Sequence, residues 1–63
     1  MDNVQSNEDN LSKIELVEAC GEWFVRVTEN GQASTMSFEL ETFAVTYAEG
    51  QRLRLGLDRI DRI

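Results

Sequence analysis

The segment 23–38, WFVRVTENGQASTMSF, decides the fold of this chain. Asn30-Gly31 is the dipeptide that a type I′ hairpin turn favours, because both central residues of that turn need a positive φ. The turn lies between two runs in which apolar and polar residues alternate, as they do in half-buried strands. With the turn centred there, opposite residues on one sheet face are Val27 and Ser34, Val25 and Met36, and Trp23 and Phe38. This face is predicted to form the core.

A further strand is predicted on the amino-terminal side of the hairpin, where Ile14 and Leu16 alternate with polar neighbours. An even-length turn at Cys20-Gly21 gives these opposite pairs: Leu16 with Val25, Ile14 with Val27, and Glu15 with Arg26. Apolar pairs then share one face and opposite charges share the other, so two independent criteria favour the same register. The prediction is a three-stranded antiparallel meander with strands at about 13–19, 22–29 and 32–38.

The apolar period becomes helical from about Glu39. One stripe of a helical wheel contains Leu40, Phe43, Ala44, Tyr47, Ala48, Gln51 and Leu55. Acidic residues in the first turn and Arg52 and Arg54 in the last complement the helix dipole, and Gly56 is placed to end the helix. Gly50, inside the helix, is expected where the helix closely approaches the sheet or a second subunit. The fold class is therefore α+β, a three-stranded antiparallel meander packed on one carboxyl-terminal helix (βββα).

The 63 residues carry a net charge of −6 that is unevenly distributed. Residues 1–11 are polar and acidic and are expected to form a disordered tail. Residues 12–57 form the predicted βββα domain, and residues 58–63 are expected to be a basic and apolar tail. A domain of this size buries only about 60% of its unfolded surface, so its stability is marginal and self-association is expected to help.

Composition argues against catalysis and against structural metal. The chain has no histidine and a single cysteine, Cys20, which excludes an intrachain disulfide and makes structural zinc unexpected. No histidine is available to act as a base for Cys20, and the acidic side chains of Glu15, Glu18, Glu22 and Glu29 are expected to be scattered by strand alternation and turns. Trp23 and Tyr47 lie on the inward stripes and are interpreted as core residues. We expect a non-enzymatic protein without a cofactor.

The amino terminus lacks the positive region and apolar stretch of a secretory signal, and no apolar run approaches the length that spans a bilayer. A cytoplasmic location without membrane contact is expected.

Two groups of apolar residues remain after the core is assigned. Val17 and Phe24 are predicted neighbours on the outer sheet face. Leu53, Leu57 and Ile60 share a stripe opposite the core if the helix continues beyond Gly56. Beside this second group lie the four arginines of the carboxyl end: Arg52, Arg54, Arg59 and Arg62. Exposed apolar patches mark contact surfaces, so both groups are candidate interfaces for a protein partner or a second copy.

The spacing Trp23-x-Val25-x-Val27, a turn with Gly31, and Phe38 followed by Ala44 and Ala48 resembles two kinds of small βββα module. One is the arm-type DNA-binding domain of tyrosine-recombinase integrases, which is similar to the plant AP2 fold. The other is a set of small uncharacterised bacterial proteins. The resemblance covers about residues 13–56 and implies a bacterial or phage origin. In the integrase modules the open sheet face is basic and enters the DNA major groove.

Here the corresponding face is nearly neutral, with too few cations for phosphate neutralisation. The residues assigned to it are Lys13, Glu15, Val17, Phe24, Arg26, Thr28, Ala33, Thr35 and Ser37. The leading prediction is therefore a small protein-interaction or regulatory module that contacts another protein or itself. One alternative is a nucleic-acid accessory module that uses the carboxyl-terminal arginines to contact DNA or RNA. A further alternative is an acidic nucleic-acid mimic that occupies a basic groove on a partner.

Overall fold

The computed structural model describes residues 12–63, and the amino-terminal tail expected at residues 1–11 lies outside them. The elements in chain order are β1 (Lys13–Ala19), β2 (Glu22–Glu29), β3 (Gln32–Phe38), α1 (Glu41–Leu55) and β4 (Asp61–Arg62). The first three strands form an antiparallel meander that is followed by the helix, which confirms the βββα fold class. Strand β4 extends the sheet, whose spatial order is β3-β2-β1-β4.

Both hairpin turns contain two residues with positive φ. Asn30 and Gly31 have φ values of 54° and 82°, and Cys20 and Gly21 have values of 53° and 81°. These values match the type I′ turn, whose twist suits the strands that it joins. Every cross-strand pair expected from the two turns is present, including Leu16 with Val25, Ile14 with Val27, and Val25 with Met36. Turn chemistry and strand alternation were therefore sufficient to predict the register.

The segment expected to be a carboxyl-terminal tail instead returns to the sheet. Gly56 ends α1 with a left-handed conformation at φ 69°, and the chain then turns back towards β1. Strand β4 pairs parallel to β1, with Arg62 beside Leu16, and the amide of Ile63 donates a hydrogen bond of 2.9 Å to the carbonyl of Leu16. Since the helix does not continue past Gly56, the expected stripe through Leu57 and Ile60 does not form.

The core lies between α1 and the two central strands. Its buried residues come from β1, β2 and α1: Ile14, Leu16, Val25, Val27, Ala44 and Ala48. Around them pack partly buried side chains: Trp23, Phe38, Val45, Tyr47, Leu55, Leu57 and Ile60. The two buried alanines let the helix approach the sheet closely, and it packs mainly on β1 and β2.

This placement of α1 corrects part of the predicted core. Met36 was expected under the helix, and Leu40 and Phe43 on the inward stripe of the helix, but all three are exposed. The reason is that α1 packs on β1 and β2 more than on β3, which leaves the helix-facing side of β3 open. Val45, which the predicted stripe omitted, packs against the core instead.

Gly50 does not mark a close approach of the helix to the sheet. A Cβ atom at this position would have no obstructing neighbour within 4 Å, and the residue is exposed. The expectation of a steric need for glycine within this chain is therefore wrong.

Candidate protein-docking surface

The outer edge of β3 is the most open part of the sheet. Among residues 12–63, no strand pairs with the side of β3 that faces away from β2. The strand has seven residues, QASTMSF, without a charge or a proline. Charged side chains, proline and short length are the usual protection of sheet edges against further pairing. The opposite edge has that protection, because β4 contains only Asp61 and Arg62.

The register identifies which backbone groups of β3 face outwards. Glu29 and Gln32 flank the two-residue turn and form a hydrogen-bonded pair, so alternate β3 residues from Gln32 onwards bond to β2. The residues between them, Ala33, Thr35 and Ser37, direct their N–H and C=O groups away from β2. Six backbone groups along this edge are thus oriented to pair with an added strand.

Three large apolar side chains that are close along the chain to Phe38, at the end of this edge, are exposed, and together they are called the apolar patch. It consists of Met36, Leu40 and Phe43, which are 46%, 53% and 59% exposed. Phe43 is one turn before Tyr47, whose ring centroid lies 5.5 Å from that of Phe38 on β3, so both belong to the side of the helix that faces β3. Large exposed apolar side chains grouped in this way are typical of contact surfaces.

A shallow polar groove of about 530 Å³ lies between the same side of α1 and the turn end of β3. Gln32 and Ser34 line it from the strand, and Tyr47, Gln51 and Arg54 line it from the helix. Arg54 donates a hydrogen bond of 3.1 Å to Glu29 and another of 2.7 Å to the side-chain oxygen of Gln51. The apolar patch and the polar groove therefore lie at opposite ends of one strand edge.

The two apolar groups predicted as interfaces have different positions in the structure. Val17 and Phe24 pair as neighbours on the outer sheet face and are half-buried. Leu53 is 69% exposed on the helix face away from the sheet. Leu57 and Ile60 pack against the core, so they do not form a surface patch with Leu53.

The four carboxyl-terminal arginines do not form one basic surface. Arg52, Arg59 and Arg62 line a shallow groove near Ile60, whereas Arg54 lies on the other side of the helix. Each arginine also pairs with a carboxylate of this chain. The pairs are Arg52 with Glu49 (2.9 Å), Arg54 with Glu29 (3.1 Å), Arg59 with Asp61 (3.3 Å) and Arg62 with Glu41 (2.6 Å). Local neutralisation of this kind weakens attraction to phosphates.

Cys20 is exposed at a hairpin turn, where the carboxylate of Glu18 accepts a hydrogen bond of 3.1 Å from the amide of Gly21. Within residues 12–63 no three metal-ligating side chains of the Cys, His, Asp or Glu type come together. Over the same range no helix has the length and apolar character needed to cross a bilayer.

The β3 edge and the apolar patch were missed in the sequence reasoning. Met36, Leu40 and Phe43 were assigned to the core because they occupy inward positions of the alternating and helical patterns. One signal was available, since residues 30–38 carry no charge in a chain of which 29% is charged. A strand without charges is typical of a position at which another strand pairs.

No protein-family model matches this chain, and no curated protein or solved structure is significantly similar to it.

Proposed function

We propose that this protein is a small non-enzymatic protein-interaction module that docks an extended segment on the open edge of β3. The observation that carries the proposal is the coincidence of six outward-facing backbone groups with the exposed apolar patch of Met36, Leu40 and Phe43. Strand addition takes its affinity from main-chain hydrogen bonds and its specificity from alternate side chains, and this surface offers partners for both.

Nucleic acid is less well supported as the partner. The four carboxyl-terminal arginines are divided between two sides of α1 and are paired with acids. The outer sheet face carries only two cations, and both lie near one carboxylate, since Glu15 is 3.6 Å from Lys13 and 3.9 Å from Arg26. Neither surface offers the unpaired cations that phosphate binding requires.

Affinity capture with a matched set of variants tests this proposal. The full chain is immobilised, its captured partner is identified by mass spectrometry, and binding is then measured with purified components. Thr35→Pro removes an outward N–H without removing a bond to β2, and proline is tolerated on edge strands. We expect Thr35→Pro and Phe43→Ser each to weaken binding about tenfold. This corresponds to about 1.4 kcal/mol, the scale of one lost hydrogen bond or of one large apolar side chain that is partly buried.

Val17→Ala on the outer face and Leu53→Ser on the far side of the helix are the controls, and both should bind as the wild type does. Loss of binding in a control, with normal binding by Thr35→Pro and Phe43→Ser, would refute docking at β3. The contact would then lie on the outer sheet face if Val17→Ala loses binding, or on the far side of α1 if Leu53→Ser does.

A further inference from the structure

We infer that the segment docked on this edge is β3 of a second copy of the chain, antiparallel to the first and related to it by a two-fold axis at Thr35. This inference rests on the proposed strand-docking function and names its partner. The two four-stranded sheets then form one continuous sheet of eight strands, joined at the middle by the two β3 strands.

The pairing of β3 with itself uses all the outward-facing backbone groups. An axis at Thr35 places Thr35 opposite its own copy and Ala33 opposite Ser37 of the second copy. These are the three residues whose N–H and C=O groups point outwards, so each pair exchanges two hydrogen bonds. An axis at Ser34 or Met36 would leave outward groups at one end of the strand without a partner. The side chains that meet are small and uncharged, so no repulsion opposes the contact.

The same axis brings together the two unlike ends of the edge. In each copy the apolar patch lies near Phe38, and the polar groove lies near Gln32. Antiparallel pairing places Phe38 of one copy opposite Gln32 of the other. Phe43 of each copy therefore lies towards the groove of the other copy, where the ring of Tyr47 provides an aromatic wall. The backbone edge of β3 is complementary to itself, which is the requirement for a two-fold contact.

The amino-terminal segment of this chain is the competing occupant. It joins the domain near the turn end of β3, since the hydroxyl of Ser12 accepts a hydrogen bond of 3.3 Å from the amide of Asn30. Residues 1–11 offer three acids, and only Met1, Val4 and Leu11 are apolar. A second β3 strand brings uncharged side chains at every position and a second apolar patch, so it matches the edge better.

The contact is small, and the dimer is therefore expected to be weak. The strand edge is about 23 Å long, at roughly 3.3 Å for each residue. Together with the apolar patch, this length implies burial of about 400 Å² on each copy, half of a standard interface. A contact of this size is typical of transient association, so sedimentation equilibrium should extend from about 10 micromolar to about 1 millimolar.

Charge variants at the axis test the register directly. The two-fold places position 35 opposite itself, so Thr35→Lys alone and Thr35→Glu alone should each weaken the dimer about two- to fivefold, the range of like-charge cross-strand pairs. An equimolar mixture of the two variants should form a heterodimer at least as stable as the wild-type dimer. Thr35→Pro should weaken self-association at least about tenfold, since both hydrogen bonds at the axis are lost. Leu53→Glu should leave the dimer unchanged.

Amide exchange of the full chain supplies a second measurement. Protection of Ala33, Thr35 and Ser37 should increase with protein concentration, whereas the amides that bond to β2 should be protected throughout. Added salt should not weaken the dimer, because each copy carries a charge of −6 and no charged residue lies in the paired strands. A dimer that dissociates as salt is added would indicate arginine–carboxylate contacts and would overturn the inference.

The outcomes separate this inference from the proposed function. A chain that stays monomeric at 1 millimolar but whose β3 variants lose a captured partner would refute the second copy and keep the docking function. Amides protected at all concentrations, with nuclear Overhauser contacts between β3 and residues 1–11, would assign the edge to the amino-terminal segment. If β3 variants change neither self-association nor any partner, both proposals fail.

Discussion

The substitution Val25→Ala measures how much the centre of the core contributes to the stability of this domain. Val25 is fully buried, lies between Leu16 and Met36 in the sheet, and belongs to the same core cluster as Ala44 and Ala48. Removal of two buried methyl groups costs about 1.6 kcal/mol at roughly 0.8 kcal/mol for each. A residual cavity of about 40 Å³ adds about 1 kcal/mol at 24 cal/mol for each Å³. The expected loss is therefore about 2.5 kcal/mol.

This loss is large for a chain of this length, whose free energy of unfolding is expected at about 3 to 9 kcal/mol. Urea denaturation of dilute protein, monitored by the fluorescence of the single tryptophan, Trp23, provides the measurement. The matched control is Val17→Ala, which removes the same two methyl groups from the half-buried outer face and should cost less than about 1 kcal/mol. Equal losses for the two variants, or a loss below about 0.5 kcal/mol for Val25→Ala, would refute the assignment of Val25 to the centre of the core.

Three further predictions use the same unfolding measurement. Gly50→Ala should raise the free energy of unfolding by about 0.5 to 1 kcal/mol, because the new methyl group enters open space and alanine is the better helix former; a loss of stability would mean that the helix needs glycine there. Cys20→Asn should stabilise the first hairpin by about 0.5 kcal/mol, since asparagine tolerates the positive φ at this turn better than cysteine does; an unchanged midpoint would show that the turn is not strained. Ile60→Ala should cost about 1 to 2 kcal/mol through lost packing against the core, whereas Leu53→Ala should cost less than about 0.5 kcal/mol; equal effects would mean that the carboxyl-terminal segment does not pack against the core.

Local chemistry made the three strands and the end of the helix predictable. Asn30-Gly31 and Cys20-Gly21 each define a two-residue turn, and a two-residue turn determines which residues lie opposite each other. Alternation of apolar and polar residues then selects the buried face, because a shift by one residue would reverse it. Gly56 ends the helix for a similarly local reason, its left-handed backbone conformation.

The position of the helix across the sheet was not predictable from those patterns. Periodicity states which side of α1 is apolar, but the strands that it covers depend on the summed packing of many side chains. The small side chains of Ala44 and Ala48 allow the helix to pack closely on β1 and β2. Met36 and Phe43 are therefore exposed, although both fit the inward pattern. The candidate docking surface is the result of this lateral placement.

The sequence by itself determined the meander, its register, and the helix that follows it, because each depends on interactions between residues that are close along the chain. Only the tertiary structure decided which strand edge stays open and where the carboxyl-terminal segment lies. Strand β4 pairs with β1 across more than 40 intervening residues, a contact for which no turn or period provides a signal. By pairing there, β4 covers one edge of the sheet with a charged dipeptide and leaves the uncharged edge of β3 as the candidate docking surface.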